Sequence, residues 1–338
     1  AAAAAAAVAR GGGVRVEHVD DDGQDLATAL DFDGGGRERA GLTSCVLLAG
    51  SRVDRAHVER TARALLPAGN VELVVVDASG AAACERHAAL LDALDDEVDT
   101  ERVRFVCVPP RTTRGAQHNA GAAHARGAHV ALLDEHAVYA PERVRAQLDM
   151  MRAARADVHA LRYGYVLDAA AGVPLRFYRV DARRAPAHVG SLMVARRRVF
   201  VELGVRFPHA SYADEAAFVE AALAAGARYD VARAHVDHVL VHEARAAGGA
   251  LDDGVERMRA AGALTAVSRA ELPEFVDDEL VDAFTRRAMA AVEAREVAAD
   301  ATRLAARDLS AEHAARSLMR RWKMAKAAAD DDDDDDSS

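Results

Sequence analysis

An acid and a histidine stand two apart in Asp134-Glu135-His136, at the end of the apolar run Ala131-Leu132-Leu133. On extended backbone, residues i and i+2 point to the same side, so one carboxylate oxygen and one imidazole nitrogen can meet one divalent ion. Mixed oxygen and nitrogen ligation suits Mn2+ well, and Mg2+ or Zn2+ less distinctively. Such a site needs at least a third protein ligand or a substrate phosphate. His242, which closes the strand-like run His238-Val-Leu-Val-His-Glu243, is the best placed, with His238 and His235 as alternatives from the same run. Asp77 ends a second apolar run, and its bland reading is a turn or cap residue. The pair Asp214-Glu215 opens an apolar helical stretch, where the helix macrodipole favours acids. A carboxylate there, within reach of a hydroxyl, can also take its proton.

These residues need a scaffold, and the hydrophobic pattern predicts one. Strands are expected over 43–50, 71–77, 102–110 and 128–134. Between and after them come helices over 54–66, 83–94, 114–127 with Gly127 as C-cap, and 140–154 with Pro141 in the first turn. Strand and helix alternating four times with short connections is the pattern of a doubly wound α/β sheet. Ligands of such sheets bind beyond the carboxyl ends of the strands, so Asp77 and Asp134 are expected to face one crevice. Further on, a strand is expected over 158–167, a strand and then a turn or helix over 189–204, a helix over 214–226, and strand-like alternation over 229–243. Residues 1–42 read as mostly disordered, 251–327 as a helical C-terminal appendage, and 328–338 as an acidic disordered tail.

Composition narrows the partners. The 338 residues carry a formal net charge of -11, and the run Asp330 to Asp336 supplies much of it. An acidic balance argues against a nucleic-acid backbone as the partner. The chain has no isoleucine, two asparagines and two lysines, a skew typical of GC-rich coding. Alanine then says less about helix, and the arginine triplet 196–198 reads as solvated surface rather than a phosphate site. Cys45, Cys84 and Cys107 read as buried thiols, not a disulfide framework or a zinc site. No apolar run approaches the length of a membrane span. The chain reads as soluble as given: cytoplasmic, or in the Golgi or ER lumen if an N-terminal anchor is missing from it.

The blocks VELVVVDASG, RGAQHNAGAAHARGAHVALLDEHAVYAPERV, and GSLMVARRRVFVELG followed by YADEAAFVEAALAAGARY, resemble in order and spacing the signature blocks of GT-A fold glycosyltransferases. The resemblance covers roughly residues 43–245. It implies a Rossmann-like mixed α/β sheet flanked by helices, in a domain spanning 43–250. It also implies a nucleotide-sugar donor, a UDP-sugar foremost, a divalent ion (Mn2+ or Mg2+), and an acceptor hydroxyl on a glycan, lipid or protein. By the same resemblance Asp77 contacts the nucleotide base, and Arg114 and Asn119 to Gly121 line the donor site. Asp134 is the first acid of a D-x-D motif that here reads D-x-H. That form is similar to polypeptide N-acetylgalactosaminyltransferases, in which a later histidine, here His242, completes the metal site. Asp214-Glu215 is the acidic pair beside the acceptor, with Glu215 as base and Asp214 as the alternative. The first strand runs into Ala49-Gly50-Ser51 rather than Pro-x-x-Asn, and the pair is Asp-Glu rather than Glu-Asp. These departures leave two other readings: a catalytically inactive GT-A-like binding or scaffold domain, and a nucleotidyltransferase.

Overall fold

The computed structural model describes residues 15–18, 39–49, 55–80, 82, 89, 99–134, 137–140, 142–168, 176–181, 193–210, 214–232, 239–243, 259–272 and 281–282. The chain divides into two compact units, Ala1–Val281 and Asp282–Ser338, and all described residues but Asp282 lie in the first.

The first sheet has eight strands. In chain order these are β1 (Arg15–His18), β2 (Arg39–Ala49), β3 (Val71–Asp77), β4 (Val103–Cys107), β5 (Gly127–Asp134), β7 (Val158–Ala160), β10 (Met193–Arg196) and β11 (Tyr229–Val231). Their order across the sheet is β1-β4-β3-β2-β5-β10-β7-β11. The first five are mutually parallel, β10 runs antiparallel between β5 and β7, and β11 pairs parallel with β7. The second sheet has the order β13-β9-β8-β12-β6, from β6 (Ala137–Tyr139), β8 (Tyr163–Asp168), β9 (Arg176–Asp181), β12 (Val239–Glu243) and β13 (Leu264–Val267). The helices are α1 (Arg55–Leu65), α2 (Arg114–His124), α3 (Arg143–Ala153), α4 (Arg197–Val201) and α5 (Asp214–Ala224).

The central strands read as continuous apolar runs because both faces of the sheet are covered. All seven residues of β3 are buried. In β2 the side chains alternate: Cys45, Leu47 and Ala49 join one core cluster with Val58 and Leu65 of α1, and Val46 and Leu48 join the other with Ala120 and Ala123 of α2. A single strand thus serves two hydrophobic layers, which fixes its register.

Several elements depart from expectation. β2 begins at Arg39, and β1 lies inside the segment 1–42 that was expected to be disordered. β1 is a four-residue edge strand with one neighbour, β4, too short to show a period. The run 158–167 is two strands in different sheets, β7 and β8, and the run 229–243 likewise divides into β11 and β12. Within 251–327, expected to be helical, residues 264–267 form β13, paired antiparallel with β9. Gly127 does not cap α2. The C-cap is Ala125, and Gly127 opens β5 where a Cβ would stand 2.6 Å from the Ser44 backbone nitrogen. Glycine is there for close approach to β2. Cys45 is a free buried thiol, pushed up to about 12 by burial, but Cys107 is disulfide-bonded, which corrects its reading as a thiol. The expected helix 83–94 and the acidic tail lie largely or wholly outside the described residues.

Candidate active site at the carboxyl edge of the sheet

Chain order places β3 and β5 on opposite sides of β2, so the direction of winding reverses at β2. Beyond the carboxyl ends at such a reversal lies the usual ligand crevice. Asp77 is level with Ala49, and Asp134 is level with Leu48, so both acids end their strands at this edge, one on each side of β2. Asp77 is fully buried. Its Oδ1 accepts a hydrogen bond from the Ser79 N–H at 2.7 Å and a short one from the Ser79 hydroxyl. That is the turn-forming role an Asp after a strand commonly takes.

His136 lies outside the described residues. His242 lies in β12, which pairs antiparallel with β6: Val239 with Tyr139, Leu240 with Val138 and Val241 with Ala137. His242 therefore follows the last pair, at the end of β6 adjoining residues 134–136 in sequence. Among the described residues no group of three His, Cys, Asp or Glu side chains is assembled for a metal ion.

Helix α2 starts after β4, and its first turn lies at the same edge. Thr113 caps it, accepting from the Ala116 N–H. The segment 207–210 is pressed against this turn. The Gly115 N–H donates to the Ala210 carbonyl at 3.0 Å, and a Cβ on Gly115 would stand 1.9 Å from the Pro208 carbonyl oxygen. Four residues after Ala210, α5 begins. Glu215, Phe218 and Ala222 are its buried stripe at helical spacing. Phe218 stacks on Phe207, with centroids 4.1 Å apart and rings 8° from parallel, and on Phe200 of α4 at 5.3 Å. That aromatic stack sets where α5 starts. As a result Arg114 Nη2 stands 2.7 Å from Glu215 Oε1. The guanidinium is one third exposed and the carboxylate almost fully buried. Two residues to which the resemblance gave different roles are thus in direct contact. Asp214 is the first residue of α5.

Other sequence candidates make contacts within the fold. Asn119 is fully buried, and its amide is bonded to the Phe207 backbone. Gly121 faces the sheet, where a Cβ would stand 2.2 Å from Val46 Cγ1. The arginine triplet is not solvated surface throughout: Arg196 Nε donates to Ala156 O, buried Arg197 to Ala125 O, and Arg198 pairs with Asp157 at 2.8 Å. One residue was missed. Arg143 of α3 is fully buried, with its guanidinium 4.8 Å from the Tyr139 ring centroid and Nη1 and Nη2 3.4 Å from the Leu132 carbonyl. Burial pulls its pKa down, and the Tyr139 and Cys45 groups offset this in part. In an arginine-rich chain no local signal marks it out.

Residues 55–199 match the family Glycosyl transferase family 2, so this stretch is a glycosyltransferase domain. No curated protein matches the chain in sequence. Similar solved structures include residues 1–349 of S. aureus TarS in complex with UDP-GlcNAc: 14% identity, 65% of each chain covered, TM-score 0.46. Another is the mannosyltransferase PcManGT from Pyrobaculum calidifontis in complex with GDP-Man and Mn2+: 15% identity, 78% of this chain and 76% of that one, TM-score 0.47. The chain spans less than two thirds of the TarS structure. Among the described residues no helix is long and apolar enough to cross a membrane.

Proposed function

We propose that this chain transfers a glycosyl group from a nucleotide sugar, a UDP-sugar foremost, to an acceptor hydroxyl, with a divalent ion (Mn2+ or Mg2+) held by Asp134, His136 and His242. The observation that supports it best is the ladder between β12 and β6. It carries His242, more than a hundred residues downstream, to the end of β6 next in sequence to Asp134-Glu135-His136. One carboxylate and two imidazoles form a donor set suited to Mn2+. When bound, such an ion offsets the negative charge that develops on the leaving nucleoside diphosphate. Asp77, at the same edge, is the candidate contact for the nucleotide base. Glu215 is the candidate base for the acceptor hydroxyl, with Asp214 beside it as the alternative.

Calorimetric titration with UDP, with and without Mn2+, tests this on the wild type and on His136→Ala. The expected result is metal-dependent binding that loses its metal dependence in the variant. GDP, CMP and TDP titrations identify a different donor nucleotide. Binding of none of them sinks the reading and leaves a scaffold domain. Release of pyrophosphate from a nucleoside triphosphate identifies a nucleotidyltransferase instead.

A further inference from the structure

We propose that Arg143 is a positioning residue for the carboxyl end of β5: from inside the core it takes the place of a missing neighbour strand beside Leu132, and so fixes the direction of Asp134. This inference rests on the glycosyl-transfer reading above.

The last residues of β5 have a strand neighbour on one side only. Against β2 the ladder runs to the end of β5, with Val46 opposite Leu132 and Leu48 opposite Asp134. Against β10 the last pair is Ala131 with Val194. Leu132 lies one residue past that rung, and Asp134 three residues past it. A strand edge without a neighbour leaves backbone groups in need of partners. The Arg143 guanidinium stands there. Its Nη1 and Nη2 each donate to the Leu132 carbonyl at 3.4 Å, and its centre lies 4.8 Å from the Tyr139 ring centroid. Leu132 comes two residues before Asp134, and Tyr139 of β6 three residues after His136. One side chain thus grips the chain on both sides of Asp134-Glu135-His136.

Core packing does not call for an arginine at this position. Arg143 is fully buried. Among the described residues no carboxylate pairs with it, and its Nε has no hydrogen-bond partner. A buried charge without a counterion is costly, and an apolar side chain of similar volume commonly serves stability as well or better. The surroundings suit one: Val144 and Leu148 of the same helix belong to the core cluster that contains Leu133 and Tyr139. The charge is therefore accounted for by what it holds. Residues i and i+2 of a strand share a direction, so anchoring Leu132 anchors Asp134. A metal ligand whose supporting contacts are lost binds its ion more weakly. Electrostatics alone gives the opposite sign, because a buried cation near the site repels a divalent ion and its removal strengthens binding.

The test compares wild type, Arg143→Met and Arg143→Lys in two measurements. One is urea denaturation. The other is Mn2+ affinity in the presence of UDP, and separately of GDP, read from the electron paramagnetic resonance of unbound Mn2+. Arg143→Met is expected to keep or raise the urea midpoint while its Mn2+ affinity falls by about tenfold, the lower end of the cost of losing a partner behind a metal ligand. Arg143→Lys, which keeps a donor within the same layer, is expected to recover part of that affinity. A lowered urea midpoint or a failure of Arg143→Met to fold shows that the arginine serves the core, and overturns the inference. So does Mn2+ affinity that is unchanged or higher in Arg143→Met, or as low in Arg143→Lys as in Arg143→Met. In each of these cases a wild type that binds Mn2+ and nucleotide leaves the glycosyl-transfer reading standing. If the wild type binds Mn2+ with neither nucleotide, both fall together.

Discussion

Asn119 and Phe207 lie 88 residues apart and exchange two hydrogen bonds: the Asn119 amide N–H donates to the Phe207 carbonyl at 2.9 Å, and the Phe207 N–H donates to the Asn119 amide oxygen at 2.9 Å. This clamp ties the middle of α2 to the segment that precedes α5. Asn119→Ala leaves a backbone donor and a backbone acceptor buried without this partner, an expected cost of about 2–4 kcal/mol. Urea denaturation measures it. Loss of nucleotide affinity without loss of stability would show instead that Asn119 touches the donor.

The layered core was legible and the pairing was not. Val71 to Asp77 reads as a strand because an apolar run of that length must be covered on both faces, and it is. The edge position of Asp77 and Asp134 followed from strand–helix alternation alone. Nothing in an alternating pattern, however, says which sheet a strand joins. The run 158–167 therefore concealed a crossing from β7 to β8 at Leu161-Arg162. Asn119 was singled out by resemblance, but its partner is set by a segment far along the chain. The Arg114–Glu215 contact depends on Phe207 stacking on Phe218, a tertiary fact with no local trace.

At the opposite edge of the sheet, Glu72 and Arg126 predict an asymmetric pair of mutational effects. Glu72 is fully buried. Its carboxylate accepts from the Ser44 hydroxyl at 2.5 Å, and from the Arg126 backbone N–H and Nε at 2.7 Å each. Arg126 is one fifth exposed and can turn to water, but Glu72 cannot. Arg126→Ala is therefore expected to cost more than Glu72→Gln, about 3–5 against about 1–3 kcal/mol. Chemical denaturation of both variants checks the order. Nucleotide affinity is expected to stay unchanged, since the cluster lies at the amino ends of β2 and β3.

Glycine-to-alanine changes in an exposed helix interior stabilise by about 0.5–1 kcal/mol. In α2 the sign is expected to reverse. At Gly121 the new methyl meets Val46 Cγ1 at 2.2 Å and Val76 Cγ2 at 3.0 Å, in a packed core. Overpacking of this kind costs about 1–3 kcal/mol. At Gly115 the obstacle is backbone, the Pro208 carbonyl oxygen at 1.9 Å. Relief there requires the 207–210 segment to move, and with it the start of α5 and Glu215. Gly121→Ala should lower the melting temperature with little change in donor affinity. Gly115→Ala should lower both. Equal donor affinities in the two variants would detach the 207–210 segment from the site.

His129 predicts how stability falls with acid. Its pKa is lowered to about 4 by burial first, then by the charges of Arg196 and Arg152. A histidine depressed in the folded state is neutral there while the unfolded chain takes up a proton. Its contribution is therefore fully present above about pH 6.5, and it is lost as pH falls from there toward about 4. Asp157 titrates in a different window. Burial works to raise its pKa, but the Arg198 and Arg228 hydrogen bonds and charges outweigh that and lower it, so its stabilisation is lost only below its ordinary value of 3.8. Between pH 6.5 and 4 the histidines dominate the comparison, and His159, lowered by burial, adds to the same window. Denaturation curves at pH 7.5, 5.5 and 4 for wild type and His129→Gln isolate the one residue. The wild type should lose on the order of 1–2 kcal/mol more than the variant across this range, after allowance for the partial exposure of the ring. Parallel losses would mean that His129 accepts its proton in the folded state without cost, with Arg152 and Arg196 turned away from it.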